Sequence, residues 1–245
     1  MILAAGLGTR LHPLTLTCPK VMLPIGGRPL LEHTLDLLRR HGFRDVVINL
    51  HHLPESIRNC LGDGRQLGMQ ITYSFEPQLL GTAGAVKKMQ AHLAGPFVVI
   101  YGDVLTDLDL SAMFRTHHAK AGMATLGVYE VDDPWLRGIV DVDRDGRITR
   151  LVEKPARGEA FSHLANAGVY VLEPEALDYI PPDMSYDFAR DLFPDLLTQG
   201  FRLYAYPITS YLVDIGSPEK YRQAQRDWAA GLLSPDKPQE EVKAC

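Results

Sequence analysis

Cysteine is scarce in this chain and never clustered. The 245 residues hold three, Cys18, Cys60 and Cys245, odd in number and far apart, with no C-x-x-C. That leaves no disulfide framework and no thiolate zinc site to read. Reduced thiols in a cytoplasmic protein are the simplest account. No apolar run could span a bilayer, and the apolar opening is too short for a secretion signal. A soluble cytoplasmic protein is the default expectation. Positive charge is in deficit: 25 Lys and Arg against 30 Asp and Glu leave a formal net charge of −5. A general nucleic-acid or anionic-membrane surface is therefore not expected, and any phosphate binding must be local. There is no internal repeat. The 46% hydrophobic and 22% charged composition suits one α/β domain with a sizeable core.

Two familiar phosphate loops are also missing. A Walker loop needs Gly-Lys-Ser/Thr, which does not occur, and a dinucleotide fingerprint needs a third Gly where this chain has Leu11. The first 25 residues nonetheless have the makings of a triphosphate site. An apolar strand, Met1 to Ala5, runs into a turn on Gly6 and Gly8, followed by Thr9, Arg10 and, behind Pro19, Lys20. Small residues let the backbone approach a ligand, successive N–H groups can point at phosphates, and the two cations supply counter-charge.

Strand-like and helix-like segments alternate in the first half. Val46–Leu50, Ile71–Phe75 and Phe97–Tyr101 read as buried strands. Leu30, Leu31, Leu35, Leu37 and Leu38 mark one amphipathic helix ending near Gly42; Val86, Met89 and Leu93 mark another. The second half is strand-rich: Met123–Val131, Gly138–Val142, Ile148–Val152 and Ala167–Leu172, with a hairpin turn at Asp145-Gly146. Asp109 reads as a helix start. Ser217 caps a last helix with Pro218 at its first position. The expected architecture is a Rossmann-like three-layer α/β/α sandwich with a mixed, mostly parallel sheet, residues 1–231, and a loose tail, 232–245.

The ordered string Gly6-Leu7-Gly8-Thr9-Arg10-Leu11-His12-Pro13-Leu14-Thr15, then Pro19-Lys20 and Leu23-Pro24-Ile25, resembles the signature of the sugar-1-phosphate nucleotidylyltransferases. Five further segments resemble that family in its own order: Glu76-Pro77 with Leu80–Gly84, Tyr101-Gly102-Asp103, Glu153-Lys154-Pro155, Asn166–Tyr170, and Asp214–Pro218. The likeness covers the chain to about Arg226. Many relatives continue into hexapeptide repeats; none is present, so the expectation is a short, catalytic-domain-only member. The chain also opens directly on its first strand, where relatives often have a few residues more, so an upstream start is left open.

The resemblance implies attack by a sugar 1-phosphate on the α-phosphorus of a nucleoside triphosphate, with pyrophosphate leaving. The nucleophile is already an anion, since a phosphate monoester has its second pKa at about 6, so no general base is required. Positioning and cations should do the work. Arg10 is assigned to the β- and γ-phosphates, Lys20 to the α-phosphate, and Asp103 with Asp214 to Mg²⁺, which favours oxygen ligands and phosphates. Nucleotide contacts are expected from Leu3, Ala5, Gly6, Gly8, Thr9, Glu76, Gly81 and Thr82. Sugar-phosphate contacts are expected from Gly138, Glu153, Lys154 and Asn166.

Glu76, an acceptor of two donors, suits the N1–H and N2–H₂ of guanine. Tyr186-Asp187-Phe188 with Asp191–Pro194 looks most like mannose-1-phosphate guanylyltransferases. GTP with mannose 1-phosphate is therefore the leading pair. A uridylyl- or thymidylyltransferase on glucose 1-phosphate, or a guanylyltransferase for a heptose 1-phosphate, is the alternative. A silent regulatory relative would be expected to lose the charged set, and a glycosyltransferase would need a D-x-D that Asp103-Val104-Leu105 lacks. Arg137 stands where the family usually has an aromatic and is expected on the surface. His51 and His52, pointing to opposite faces of a strand, are read as structural. Homo-oligomerisation is left open.

Overall fold

The computed structural model describes residues 1–233. Its centre is a nine-stranded sheet. Seven strands lie in the order Ile148–Glu153, Gly138–Val142, Leu164–Leu172, Phe97–Tyr101, Ile2–Leu3, Asp45–Leu50 and Gln70–Phe75. Ala124–Glu130 joins at Leu164–Leu172, and Leu203–Pro207 pairs with it in turn. The periodicity of two along each strand divides the core. Phe97, Val99, Tyr170 and Leu172 point into one apolar layer with Val86, Phe188 and Phe193. Val98, Ile100, Val169 and Val171 point into the other with Leu31, Leu35 and Ile48. Helices cover both faces, so the three-layer expectation holds.

The parallel share of the sheet is smaller than expected. Ile2–Leu3 is parallel to both its neighbours and Asp45–Leu50 is parallel to Gln70–Phe75, as the βαβ rhythm implies. Beyond Phe97–Tyr101 the pairings turn antiparallel: Gly138–Val142 and Ile148–Glu153 form a hairpin, and Leu164–Leu172 runs against three strands that precede it at a distance in the chain. Among described residues only Leu203–Pro207 restores a parallel pair on that side.

The helix caps marked in the sequence are formed. Asp109 Oδ1 accepts from Ala112 N at 2.9 Å and caps Leu110–Lys120. Ser217 caps Pro218–Ala229. His51 Nδ1 lies 2.7 Å from the Glu76 carbonyl and His52 Nε2 lies 2.9 Å from the Thr15 carbonyl, so both pin loops. The turn of helix at Phe188–Leu192, wound wider than an α-helix, was not foreseen. The tail expectation falls mainly outside the described residues; of its first two, Leu232 is exposed and Leu233 is buried with Tyr221 and Ile215. No described helix is long and apolar enough to cross a membrane.

Burial holds the imidazoles of His33, His41 and His117 below the ordinary histidine range. His117 bridges Thr125 Oγ1 at 2.9 Å and Glu173 Oε1 at 3.1 Å beneath the helix Leu110–Lys120. A lowered histidine pKa means that the unfolded chain binds more protons as pH falls through about 6.5, so stability present above that pH is lost below it. The urea midpoint should therefore fall between about pH 7.5 and 5.5, and His117→Gln should flatten the slope. An equally steep slope in the variant would show that His117 plays no part.

Candidate active site

The carboxyl ends of the parallel strands meet at one rim, where ligands of open α/β sheets are held. Ala4 N donates to Asn49 Oδ1 at 2.7 Å, and Asn49 Nδ2 donates to Glu76 Oε1 at 2.8 Å. Leu80 N donates to Glu76 Oε2 at 3.1 Å. This chain of bonds fixes the first three strand ends around a pocket of about 240 Å³ lined by Leu3, Ala5, Gly6, Lys20, Glu76, Gly81, Thr82, Tyr101 and Asp103, among others. Gly81 is required there. Its φ is +70°, and a Cβ would lie 2.5 Å from the Tyr186 carbonyl oxygen. Tyr186 O in turn accepts from Ala83 N and Gly84 N, closing the start of the helix Gly81–Lys88.

Asp103 follows Tyr101-Gly102 at the end of its strand. Gly102 is pressed against Leu3, with N–H donating to the Leu3 carbonyl at 2.9 Å. A two-stranded ribbon then forms, Val104–Thr106 against Leu212–Asp214, in a register that sets Asp214 opposite Val104. Two carboxylates 111 positions apart in sequence thus stand side by side. Lys20 Nζ pairs with Asp103 Oδ2. Arg137 Nη1 donates to Asp214 Oδ2 at 2.8 Å, and Gly216 N donates to Asp214 Oδ1 at 2.7 Å. Arg10 reaches the same spot; a Cβ on Gly216 would lie 2.7 Å from its guanidinium.

The two carboxylates respond in opposite directions. Burial pushes the Asp103 carboxyl up, but the Lys20 ammonium and the hydrogen bonds outweigh it and hold the group below the usual range. Burial, then the Asp103 charge, push Asp214 up despite Lys20 and Arg137. Among the described residues no group of three or more His, Cys, Asp or Glu side chains is placed to hold a metal; Asp103 and Asp214 are a pair.

A second cavity of about 240 Å³ shares Tyr101 and Asp103 with the first and adds Arg10, Arg137, Gly138, Glu153, Lys154, Asn166, Asp187 and Asp214. Gly138 lets the Glu153 carboxylate sit against the backbone, where a Cβ would lie 2.5 Å from Oε2. Burial raises the Glu153 pKa. Lys154 has φ +51°, and its N–H donates to the Arg137 carbonyl at 2.9 Å. Asn166 Nδ2 donates to Tyr170 Oη at 2.8 Å and its Oδ1 accepts from Gly168 N at 3.0 Å, across a register shift in Leu164–Leu172. A larger cleft of about 890 Å³ continues outward past Arg10, Arg137, Lys154 and Asp214.

Most of the expected residues thus converge. Gly8 and Thr9 line neither 240 Å³ cavity: Gly8, at φ +65°, is packed on Thr15, and Thr9 opens a single helical turn. The Thr82 hydroxyl is engaged by Asp187 and Phe188 N. The surface expectation for Arg137 is corrected, since its side chain is only 28% exposed and bonded to Asp214. Asn49 was missed, although a lone amide inside Val46–Leu50 was a signal. Asp187, which caps Phe188–Leu192 and holds Thr82, has no sequence mark beyond its place in Tyr186-Asp187-Phe188.

The model of the family described as "Nucleotidyl transferase" matches residues 1–231. The chain belongs to this family. Over 96% of its length it is 42% identical to a UTP–glucose-1-phosphate uridylyltransferase of Synechocystis, covering 63% of that protein. Over 95% it is 34% identical to a mannose-1-phosphate guanylyltransferase of Mycobacterium tuberculosis, covering 65%. It therefore spans under two thirds of either relative. A solved UDP-glucose pyrophosphorylase, complexed with UDP-glucose, superposes with TM-score 0.81 at 25% identity, covering 94% of this chain and 97% of that one. The sugar-1-phosphate branch of the nucleotidyl transferases is thus the one whose members this chain resembles on both counts.

The opposite responses of the carboxylates predict opposite variants. Asp103→Asn leaves Lys20 without its anion and should cost roughly 1–3 kcal/mol at neutral pH. Asp214→Asn removes a disfavoured charge and should change stability by less than about 0.5 kcal/mol. Urea denaturation distinguishes them; equal losses would contradict the asymmetry.

Proposed function

We propose that this protein transfers a nucleotidyl group from a nucleoside triphosphate to a sugar 1-phosphate, giving a nucleotide sugar and pyrophosphate. The observation that carries the reading is that the two cavities meet at one charged seam. The nucleoside would lie over Leu3, Ala5 and Gly81, with its α-phosphate beside Lys20. The sugar would lie against Glu153 and Asn166, with its phosphate toward Lys154. Arg10, from the outer cleft, would take the β- and γ-phosphates. Two polyanions would then be brought in line at Asp103. Charge balance and alignment, not proton transfer, would lower the barrier.

The donor set fits Mg²⁺. Asp103 and Asp214 offer two adjacent carboxylates, the number such a site uses when phosphates and water complete the shell. When bound, the ion would neutralise charge on the reacting and leaving phosphates. Lys20→Ala and Arg10→Ala should each lower turnover by about 10²- to 10³-fold in a pyrophosphate-release assay. Arg10→Ala should cost only a few tenths of a kcal/mol in stability. Lys20→Ala should cost more, because a largely buried Asp103 loses its partner. Near-normal turnover in either, or turnover undiminished by EDTA, would remove the corresponding assignment.

For the base, we read Glu76 as an acceptor for guanine, which gives GTP with mannose 1-phosphate. Each of its oxygens already accepts one protein hydrogen bond and keeps one lone pair. UTP with glucose 1-phosphate is the second reading, favoured by the 42% identical relative. If guanine pairs with Glu76, GTP should exceed ITP, which lacks the 2-amino group, by about ten- to a hundredfold in kcat/KM. Glu76→Gln should narrow the gap between GTP and UTP. Wild-type preference for UTP with every sugar phosphate tried would select the second reading and leave the transfer mechanism standing.

A further inference from the structure

Arg137 is not accounted for by the transfer reaction as proposed. It lies just before Gly138, its side chain bonds Asp214, and its carbonyl holds the N–H of Lys154. It lines both the inner sugar cavity and the outer cleft. One residue therefore touches the metal carboxylate with its side chain and the sugar-phosphate lysine with its backbone.

The Asp214 charge is already shared while Arg137 is in place, although each oxygen keeps one lone pair. Gly216 N occupies Oδ1 and the guanidinium occupies Oδ2. A divalent cation on Oδ2 would bring a second positive group onto the same oxygen, and the two would repel. Lys20 and Arg10 add to the positive charge nearby. The guanidinium need not move far to be useful elsewhere, since the cavity it already lines also holds Lys154, assigned above to the sugar phosphate.

We propose that Arg137 is a built-in counter-ion for Asp214, displaced when a divalent cation binds and then available to the phosphate of the sugar substrate. The inference rests on the metal and sugar-phosphate assignments made above. Its consequence is reciprocal: an anion that draws Arg137 off Asp214 also vacates the cation's ligand, so cation and sugar phosphate assist each other's binding. Arg137 is on this account a substrate-binding residue that couples the two ligands.

The test uses metal alone, without nucleotide. Mn²⁺ binding is followed by electron paramagnetic resonance in wild type and Arg137→Gln. In parallel, the Arg137 side-chain N–H signal, identified by its loss in that variant, is followed by NMR during Mg²⁺ titration. The variant should bind Mn²⁺ about two- to fivefold more tightly, the scale of losing one partly exposed ion pair. The wild-type Arg137 signal should move with Mg²⁺ toward its position in Asp214→Asn. The variant should also show a raised KM for sugar 1-phosphate with kcat changed less.

Equal Mn²⁺ affinity in the two proteins overturns the proposal. So does tighter binding in the variant with a wild-type Arg137 signal that Mg²⁺ leaves in place, since the charge would then act at a distance. If neither protein binds Mn²⁺, the metal assignment itself falls, and the counter-ion role falls with it.

Discussion

Two carboxylates pressed together at the end of a sheet are the constraint around which this molecule is arranged. The ribbon register that sets Asp214 beside Asp103 also sets the electrostatic problem, because neighbouring like charges in a poorly solvated site raise each other's proton affinity. Lys20 solves it from one side and Arg137 from the other. Lys20 can do so because the loop that carries it is folded down onto the ribbon by a small core of its own. Leu11, Leu23 and Ile25 pack there against Leu105, Val213, Ile215 and Tyr221. Tyr221 then donates to the Pro24 carbonyl at 2.9 Å, tying the last helix to the same loop. The signature loop is thus held by apolar burial, and its charged residues are free to face the rim.

The neighbouring walls are rigid for a different reason. The strand Leu164–Leu172 is antiparallel to Gly138–Val142 in its first half and to Phe97–Tyr101 in its second, while Ala124–Glu130 pairs with both halves across a register shift. The break between these partnerships falls at Asn166–Gly168. Gly168 has φ +71°, and a Cβ there would lie 2.9 Å from the Tyr101 ring. The glycine allows Tyr101 to stand between the two cavities, edge-on to Tyr170 at 5.7 Å. Tyr170 in turn receives the Asn166 amide. A backbone irregularity in one strand therefore sets the partition that both ligands would share on the proposed reading.

The parts of this arrangement that were legible in sequence are those with local signatures. Apolar runs located nearly every strand of the sheet, Ser217 and Asp109 announced their helices, and the glycine-rich opening marked the rim. The fork of Leu164–Leu172 was not legible, since pairing partners depend on contacts far apart in the chain. Nor was the packing of Gly8 and Thr9, where a motif of ligand-facing appearance turns out to shape the loop that presents Arg10 and Lys20. Arg137 was misplaced because an isolated Arg ahead of a strand has no sequence mark distinguishing a solvated cation from a paired one. Only the ribbon register, which brings Asp214 within 2.8 Å of it, reveals the partner.

The same physics explains why Glu76 differs from the rim carboxylates. Glu76 is almost fully buried, yet it is held by two neutral donors, an amide and a backbone N–H, rather than by a cation. It accepts one hydrogen bond on each oxygen and keeps accepting capacity toward the pocket. Asp103 is matched by an ammonium, and its interaction is mainly electrostatic. A carboxylate held by neutral donors can discriminate among hydrogen-bond patterns, because its geometry is fixed and an unpaired lone pair is costly. A carboxylate held by cations can exchange one cation for another. One rim thus carries two kinds of acid, one suited to reading a base and one suited to handling phosphate charge, and the difference lies in what donates to each.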